Sequence, residues 1–522
     1  MTKLQRYNGL DSIATLQLWQ VMKEQFAAHP EALETYRISK ALQAPILYMM
    51  LRGILVNKET IDELREKFTE ECKFLESRMD IITRSLGMGV VNFGSPVQVL
   101  WLIESFGAKV PVKFVKGKPS KSANAENLEQ IAKADPELAP ICNIILAWRN
   151  RKKMLDVLGP TLANKDGRVH CTYKIGGTVT GRLSSGADMF ANKRLKLKSG
   201  MNMQNIKQDE DESKTGHASI RSMFVADDGY KSFNIDLERA DSWAVALEVF
   251  KATGDRKYLD ACSAGDMHTY VSKLVWPDLG WTGDEEADTK IAKQYFYRQH
   301  SYRFMSKKLQ HGGNYLGKPR TLAIQMKIPV ALAQAGHDSY FGEFPAIPTW
   351  HAIKKKELQT TGSLTNLFGR KRNFHGRLDA DSTLREAIAY LGQSVTAEVI
   401  NRAFLRLWAI QCQMPWYDLQ LLAQVHDSMF GQYLAQFDQA EVIPLLTHVM
   451  QIPITVTSPQ GKTITVCIPL EASTGWNWAG HSPANPDGQI KFKPGKLDDR
   501  QRQRPAPQTQ LRLMDRRLSS LY

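Results

Sequence analysis

Two aspartates, each at the end of a predicted β-strand, are separated by a long stretch with a helical pattern. The strand pattern Ser232–Ile235 leads directly into Asp236, and a strand–turn–strand pattern over Leu419–Gln432 contains Asp427. Between them, from about residue 240 to about residue 410, apolar side chains recur mainly at helical spacing. These strands can share one sheet only if a helical insertion leaves the sheet and returns to it. The sequence therefore predicts an α+β fold.

Two acids at the strand ends of one sheet would suit a site that transfers phosphoryl groups with two metal ions. Carboxylate oxygens are hard ligands, and Mg²⁺ held by one or two of them keeps waters and bridges to substrate phosphates. A strand-end aspartate is also a common helix cap or turn residue. The spacing of Asp236 and Asp427 leaves both interpretations open.

A stripe of polar side chains recurs every four residues within the helical insertion. On an α-helix each step of four residues drifts by about 40°, so the stripe forms one slanting row. Two cations could bind a triphosphate while a flat ring packs against a base or sugar. Gly312 and Gly313 each cost roughly 1 kcal/mol relative to Ala, which predicts close approach of another backbone or a base. A solvated basic face is the alternative. The stripe consists of Arg303, Lys307, His311 and Tyr315.

The charge balance permits nucleic acid as a partner without requiring it. The chain has 68 Lys and Arg residues against 54 Asp and Glu, a formal charge of +14. No run of about 18 apolar residues and no N-terminal signal region is visible, which predicts a soluble intracellular protein without a membrane partner. The six cysteines are scattered and form no Cys-x-x-Cys pair, which argues against a zinc site or a disulfide framework.

The order of the motifs resembles family A DNA polymerases, the group of bacterial DNA polymerase I and phage polymerases. Arg303–Gly317 is similar to motif B, Asp236–Asp241 to motif A and Gln424–Asp427 to motif C. The resemblance covers about Tyr36 to Trp478 and implies an α+β, right-hand polymerase fold with a thumb, a palm built on an antiparallel sheet, and helical fingers. Other matching segments are Asn92–Gln98, Lys116–Ser120, Thr180–Ser185, Met203–Ile206, Asp266–His268, Leu367–Arg370, Arg385 and Gln393–Ala397.

The resemblance also implies the domain order. Tyr7 and Asp11 are similar to the third motif of a 3′–5′ exonuclease, although a helix start capped by Asp11 is the alternative. The other exonuclease carboxylates would lie upstream, so we expect no proofreading by this chain alone and a separately encoded exonuclease subunit as a partner. The expected regions are an exonuclease remnant with a connecting helix (1–35), thumb (36–165), first part of the palm (166–250), fingers (251–385), second part of the palm (386–480) and a basic, largely disordered tail (481–522).

Each matched residue has an implied role, and the implied partners are primer–template DNA and dNTPs. Asp236, Asp427 and the main chain of Leu237 would hold two Mg²⁺ ions, and Lys307 would be the proton donor to pyrophosphate, which makes Asp236, Asp427 and Lys307 the catalytic set. The implied nucleotide-binding residues are Arg303, Lys307, His311, Tyr315, His268 and Asp241. The implied DNA-binding residues are Arg182, Gln204, Asn205, Arg385, Gln393 and His426.

Some positions depart from the family pattern. Asp241 stands where Glu is usual, His311 where Phe or Tyr is usual, and Ser428 where Glu follows the catalytic Asp. None of these changes removes an implied metal ligand. The variant His311–Tyr315 segment favours a phage or similar replicon, which implies the cytoplasm of a bacterial or phage-infected cell.

Two other functions are compatible with this fold. A related single-subunit RNA polymerase is disfavoured by the segments Thr180–Ser185 and Met203–Ile206 and by the acid at Asp241. A catalytically weak or inactive polymerase-fold protein could act as a DNA-binding accessory subunit. The intact set of Asp236, Asp427, Arg303 and Lys307 argues against the accessory role.

Overall fold

The N-terminal part of the chain is helical. The computed structural model describes residues 2–85, 87–115, 118–159, 162–187, 200–206, 219–297 and 300–492. The first helix begins at a capping box in which the Thr2 hydroxyl accepts a hydrogen bond from the Gln5 N–H, so Asp11 lies inside the helix and does not cap it. The first elements are α1 (Lys3–Ala28), α2 (Pro30–Ala41), α3 (Gln43–Arg52) and β1 (Ile54–Leu55).

The predicted thumb contains a hydrophobic core of its own. Cys72 and Met79 of helix α4 belong to this core, whereas Ile61, Leu64 and Phe68 of the same helix belong to the main core. The separate core therefore begins about halfway along α4, well beyond residue 36. The segment between helices α5 and α6 contains an antiparallel β-hairpin, β2–β3. The elements are α4 (Lys58–Ser85), α5 (Pro96–Ser105), β2 (Val112–Val115), β3 (Lys118–Lys121), α6 (Ala125–Ala134) and α7 (Ala139–Val157).

Three short strands precede the central sheet. Strand β4 (Arg168–Val169) pairs with β1, and β5 (Cys171–Lys174) pairs with β6 (Ser184–Ala187). Two 3₁₀-helices, Met203–Asn205 and Ile220–Met223, follow. Along the chain, these pieces lie between α7 and the central sheet.

One antiparallel sheet of five strands forms the centre of the main core. Its middle strand, β7, carries Asp236, which pairs with Ser428 on one side and with Glu471 on the other. The chain enters this sheet at β7, leaves it for the helical insertion and returns at β12. The strand order is β12 (Gln420–Val425), β13 (Ser428–Leu434), β7 (Tyr230–Leu237), β16 (Leu470–Gly475) and β17 (Ile490–Lys491).

The beginning of the predicted tail is wrong, because residues 481–492 fold back onto this sheet. Lys491 pairs with Ser473 in the register of β17 and β16. The buried Gln489 amide donates hydrogen bonds to the Ser232 hydroxyl at 2.7 Å and to the Asn477 main-chain oxygen at 2.9 Å. These buried hydrogen bonds hold residues 481–492 against the sheet. The polar composition of the segment, taken alone, predicts a disordered tail instead. Residues 493–522 of the predicted tail lie outside the described residues.

Helices fill most of the insertion between β7 and β12, as predicted. The helices are α8 (Ala240–Thr253), α9 (Lys257–Ser263), α10 (Met267–Val275), α11 (Glu285–Ala292), α12 (Tyr302–Asn314), α13 (Pro319–Met326), α14 (Val330–Glu343), α15 (Ala346–Thr361) and α16 (Asp381–Gln413), and α17 (Gln439–Met450) follows β13. The small hairpins pair β8 (Tyr295–Tyr297) with β9 (His300–Ser301), β10 (Ser363–Thr365) with β11 (Lys371–Asn373), and β14 (Pro453–Thr457) with β15 (Thr463–Cys467). Strands β15 and β16 are separated by two residues, Ile468 and Pro469. Across the described ranges, no helix is long and apolar enough to cross a membrane.

The predicted close approach of a backbone is found at Gly312, where the Gly317 N–H donates to the Gly312 oxygen at 2.6 Å, and side chains of neighbouring helices approach both glycines. The approach of a base stays a prediction. A Cβ at Gly312 would lie 2.5 Å from the Leu322 side chain of α13. A Cβ at Gly313 would lie 2.8 Å from the ring of Tyr340, which is fully buried on α14. The two glycines therefore let α12 pack closely on its neighbours.

We predict that Gly313→Ala lowers the free energy of unfolding by about 1–3 kcal/mol, the usual cost of overpacking a close contact. The matched control is Gly342→Ala in α14, where an added Cβ would have no atom within 4 Å. Alanine there should raise the free energy of unfolding by about 0.5–1 kcal/mol through helix propensity. Urea unfolding of both variants measures the two values. Equal stabilities would contradict the packing role of Gly313.

Candidate active site

Asp236 and Asp427 lie at the ends of neighbouring strands. Asp236 in β7 pairs with Ser428, the first residue of β13, and Asp427 precedes Ser428 in the two-residue turn from β12. The Leu237 N–H donates a hydrogen bond to the main-chain oxygen of Asp427 at 3.1 Å, which ties the two strand ends together. The sequence left open whether these aspartates meet, and the sheet register brings them side by side.

The surroundings of both carboxylates disfavour negative charge. Burial, the Asp427 carboxylate and then the Glu471 carboxylate raise the pKa of Asp236 to about 7. Burial also raises the pKa of Asp427, and the charge of Asp241 adds to that rise. A divalent cation would relieve this repulsion, and carboxylate oxygens are hard ligands of the kind that Mg²⁺ takes. The pair therefore fits hard divalent cations.

The predicted metal ligands consist of these two carboxylates and the main chain of Leu237. Within the described ranges, no group of three or more His, Cys, Asp or Glu side chains is placed to hold a metal ion. A pair of carboxylates is nevertheless enough for Mg²⁺, since this ion keeps several waters and shares substrate phosphates.

Asp241, in the first turn of α8, links the aspartate pair to the helical insertion. Its carboxylate lies 3.5 Å from the Arg182 guanidinium and accepts a hydrogen bond from the Thr396 hydroxyl at 3.3 Å. Burial raises the pKa of Tyr315, and the Asp241 charge is the next cause of that rise. Three residues with separate predicted roles, Arg182, Asp241 and Tyr315, therefore share one neighbourhood.

The predicted stripe lies on the accessible side of α12. Lys307 and His311 are exposed, whereas Met305, Leu309 and Gly313 face the interior. The helix begins at Ser301, whose hydroxyl accepts a hydrogen bond from the Phe304 N–H at 3.2 Å, a normal N-cap. The two middle members of the stripe, Lys307 and His311, are thus exposed, which agrees with both earlier interpretations, whereas Arg303 and Tyr315 are half-buried.

Arg303, the first member of the stripe, is held by Asp266 at the N-cap of α10. Its Nε and an Nη donate to the two carboxylate oxygens at 2.7 and 3.0 Å. Burial is the largest single influence and opposes ionisation of Asp266, but the hydrogen bonds from Arg303 and Thr269 together with nearby positive charge outweigh it and lower the pKa of Asp266 to about 2. A bidentate pair of this kind fixes the plane of the guanidinium. Asp266 therefore orients Arg303.

His268 follows Asp266 by two residues and contacts the interior side of α12. Its Nδ1 is 2.8 Å from the Gln310 side-chain oxygen. Burial and then the Arg303 charge lower the pKa of His268 to about 4. The imidazole is therefore neutral at pH 7, with its Nδ1–H donated to Gln310 and its Nε2 left as an acceptor.

Tyr315, the last member of the stripe, packs against the long helix α16. Gly392 of α16 faces the Tyr315 hydroxyl, and any side chain at Gly392 would collide with it. The hydroxyl is buried and has no hydrogen-bond partner among the described residues. The Tyr315 ring thus lies at the junction of α12, α16 and the Asp241 neighbourhood.

The predicted DNA-binding residues fall into two groups. Gln204 approaches the β12–β13 turn through its side-chain amide, which donates to the Gln424 side chain at 3.3 Å and to the Leu183 main-chain oxygen at 3.0 Å. His426, in that turn, is exposed and has a left-handed φ of 56°. The first group comprises Arg182, Gln204, Asn205 and His426. The second comprises Arg385 and Gln393, two helical turns apart on α16.

The sequence did not predict a role for three charged residues near the site. Glu471 is opposite Asp236 in the sheet, Lys491 forms an ion pair with Glu471, and Asp266 orients Arg303. The segment that contains Asp266 matched the family, but its ion pair with Arg303 was not predicted because the two residues are 37 positions apart in the sequence. The sheet register that places Glu471 and Lys491 has no local signal in the sequence.

An antiparallel sheet with two adjoining aspartates and a helical insertion agrees with the right-hand polymerase fold that the motif order implies. The chain belongs to DNA polymerase family A, whose family model matches residues 58–480. The fold is also that of a solved structure, the POL domain of Pol1 from M. smegmatis in complex with DNA primer–template and dNTP. That comparison gives a TM-score of 0.65 at 20% identity and covers 84% of this chain and 69% of the other.

Curated relatives agree with this family. DNA polymerase I of Rhizobium leguminosarum is 25% identical over 488 residues, which cover 90% of this chain and 43% of the relative. DNA polymerase I of Aquifex aeolicus is 28% identical over 344 residues, which cover 64% of this chain and 50% of the relative. The chain thus spans half or less of the length of these relatives.

Proposed function

We propose that this protein is a DNA-dependent DNA polymerase that extends the 3′ end of a primer with dNTPs. The observation that carries the proposal is the adjoining pair Asp236 and Asp427, two partly buried carboxylates whose pKa values are raised. Family membership over residues 58–480 and the named activity of the relatives support it.

Two Mg²⁺ ions would be held by Asp236, Asp427 and the main-chain carbonyl of Leu237. When bound, they would activate the primer 3′-hydroxyl and neutralise charge on the triphosphate. The raised pKa values support this assignment, because carboxylates that repel each other gain more from a shared cation than solvated ones do.

The protein's own side chains would position the nucleotide. Arg303 and Lys307 would bind the triphosphate, and Lys307 would donate a proton to the leaving pyrophosphate. His268 would donate a hydrogen bond to the phosphates from Nε2 in its protonated form, because in the neutral ring the one N–H, on Nδ1, is donated to Gln310. His311 and Tyr315 would pack against the base and sugar at the insertion site. The Asp241 carboxylate would exclude a ribose 2′-hydroxyl.

The two groups of polar residues around the sheet would hold the primer–template duplex. Arg182 would contact the minor groove at the primer end, where the acceptors are common to all base pairs. His426 would touch the primer terminus, and Gln204 and Asn205 would lie beside it. Arg385 and Gln393 would follow the template along α16.

Primer extension with Mg²⁺ and either dNTPs or rNTPs tests this function. A DNA polymerase incorporates dNTPs in preference to rNTPs on a primed DNA template. Preference for rNTPs would indicate an RNA polymerase instead. Binding of primer–template without any incorporation would indicate the accessory role.

We further propose that proofreading is supplied by a separately encoded 3′–5′ exonuclease subunit. Tyr7 and Asp11, the residues similar to an exonuclease motif, are exposed on α1, a helix with no buried residue. We predict that the purified chain leaves a mismatched primer 3′ end intact over many turnover times of extension. Gel analysis of a labelled mismatched primer measures this, and steady excision by the chain alone would contradict the prediction.

A further inference from the structure

A third carboxylate stands next to the aspartate pair. Glu471 on β16 is the direct cross-strand partner of Asp236 on β7. Directly opposed residues of an antiparallel pair project from the same face, with Cβ atoms about 4.5–5.5 Å apart. The opposite neighbour of Asp236 is Ser428, which has no charge and donates its hydroxyl to the Val425 main-chain oxygen at 2.9 Å. Negative charge therefore flanks Asp236 on the β16 side.

A cation balances that carboxylate from the edge of the sheet. The Lys491 ammonium forms an ion pair with Glu471 across β17 and β16. Strand β17 belongs to residues 481–492, which lie beyond the segment that matches the family, residues 58–480. The family match therefore does not account for Lys491.

Both members of this ion pair act on Asp236, and they act with opposite sign. By Coulomb's law, the Glu471 carboxylate opposite Asp236 attracts a cation bound there, whereas the Lys491 ammonium paired with Glu471 repels it. The Glu471 and Lys491 side chains are 47% and 66% exposed, so neither is held by burial. An exposed ion pair adds on average little stability, so keeping the fold intact is a weak explanation for this arrangement.

We propose that Glu471 and Lys491 are positioning residues that tune the affinity of the Asp236–Asp427 pair for divalent cations in opposite directions. Glu471 strengthens cation binding by adding negative charge beside Asp236. Lys491 weakens it by offsetting that charge. This proposal rests on the proposed function, because it needs the aspartate pair to be the metal site.

The test is Mn²⁺ binding to the full chain without DNA, measured from the free Mn²⁺ signal in electron paramagnetic resonance. Glu471→Gln should weaken binding and Lys491→Met should tighten it, each by roughly three- to tenfold at low salt. Both shifts should shrink as ionic strength rises, because exposed charges are screened. The matched control is Lys121→Met, which breaks the exposed Lys121–Glu104 ion pair of the thumb hairpin and should leave Mn²⁺ affinity unchanged.

Opposite shifts distinguish tuning from a structural role. Both substitutions break the same ion pair, so a structural role predicts shifts of the same sign, and that result would overturn the proposal, as would no shift in either variant. Asp236→Asn tests the metal site itself, separately from its tuning by Glu471 and Lys491. If it abolishes Mn²⁺ binding while Glu471→Gln and Lys491→Met have no effect, only the tuning is wrong. If Mn²⁺ binding survives it, the metal site of the proposed function is wrong as well.

Discussion

Asp236→Asn and Asp427→Asn are each expected to reduce dNTP incorporation by on the order of 10³-fold or more. A bound divalent cation supplies several kcal/mol of transition-state charge stabilisation, and each 1.36 kcal/mol is worth about tenfold in rate. Asparagine keeps the shape of aspartate but removes the charge that would hold the cation. Binding of primer–template should remain close to normal, because the groups predicted to contact DNA lie on other residues.

Single-turnover incorporation, with DNA affinity measured in parallel, separates these two effects. Asp438→Asn is the matched control. Asp438 caps α17 by accepting a hydrogen bond from the Ala440 N–H at 2.9 Å, and asparagine caps helices equally well. This control should retain native rates. Near-native rates in the Asp236 and Asp427 variants would remove the metal assignment altogether.

Lys307→Ala is expected to lower the rate of incorporation by roughly 10²-fold or more, since proton donation in the transition state contributes typically 10²–10⁴-fold. Lys307 is exposed in the middle of the α12 stripe, with no carboxylate within ion-pairing distance among the described residues. Its ammonium is therefore accessible to a triphosphate. Arg303 is less suitable as a probe, because replacing it also breaks the ion pair with Asp266.

The matched control for Lys307 is its neighbour Lys308. Lys308 is also exposed, but it is rotated by about 100° around α12, where its ammonium lies 5.6 Å from the centre of the Phe304 ring. Lys308→Ala removes the same charge and should reduce the rate by less than about threefold. Comparable losses in both variants would mean that the general basicity of α12 matters, rather than the position of Lys307.

Much of the fold could be predicted from local patterns. The helical insertion was predicted from the spacing of apolar residues. The strands that carry Asp236 and Asp427 adjoin in one sheet, as the resemblance of the motifs to family A polymerases implies. Whether the two aspartates meet could not follow from spacing, because the register between β7 and β13 is set by side chains distant in the sequence.

The errors arose where distant contacts decide the structure. Residues 481–492 have the polar composition of a tail, yet Gln489 fixes them through buried hydrogen bonds to β7 and to Asn477. The glycine pair predicted the close approach of a backbone or a base, but no local pattern indicated the buried Tyr340 ring that a Cβ at Gly313 would meet. The pairing of Arg303 with Asp266 was also hidden, since an ion pair across two helices leaves no local pattern.

The most direct test of the central claim is the dependence of incorporation on the template. The native chain is given Mg²⁺, all four dNTPs and four primed templates that differ only in the first templating base. We predict that the single added nucleotide changes with that base and is complementary to it in every case. Incorporation that does not follow the templating base, or no incorporation on any template, would contradict the proposal that this chain is a template-directed DNA polymerase.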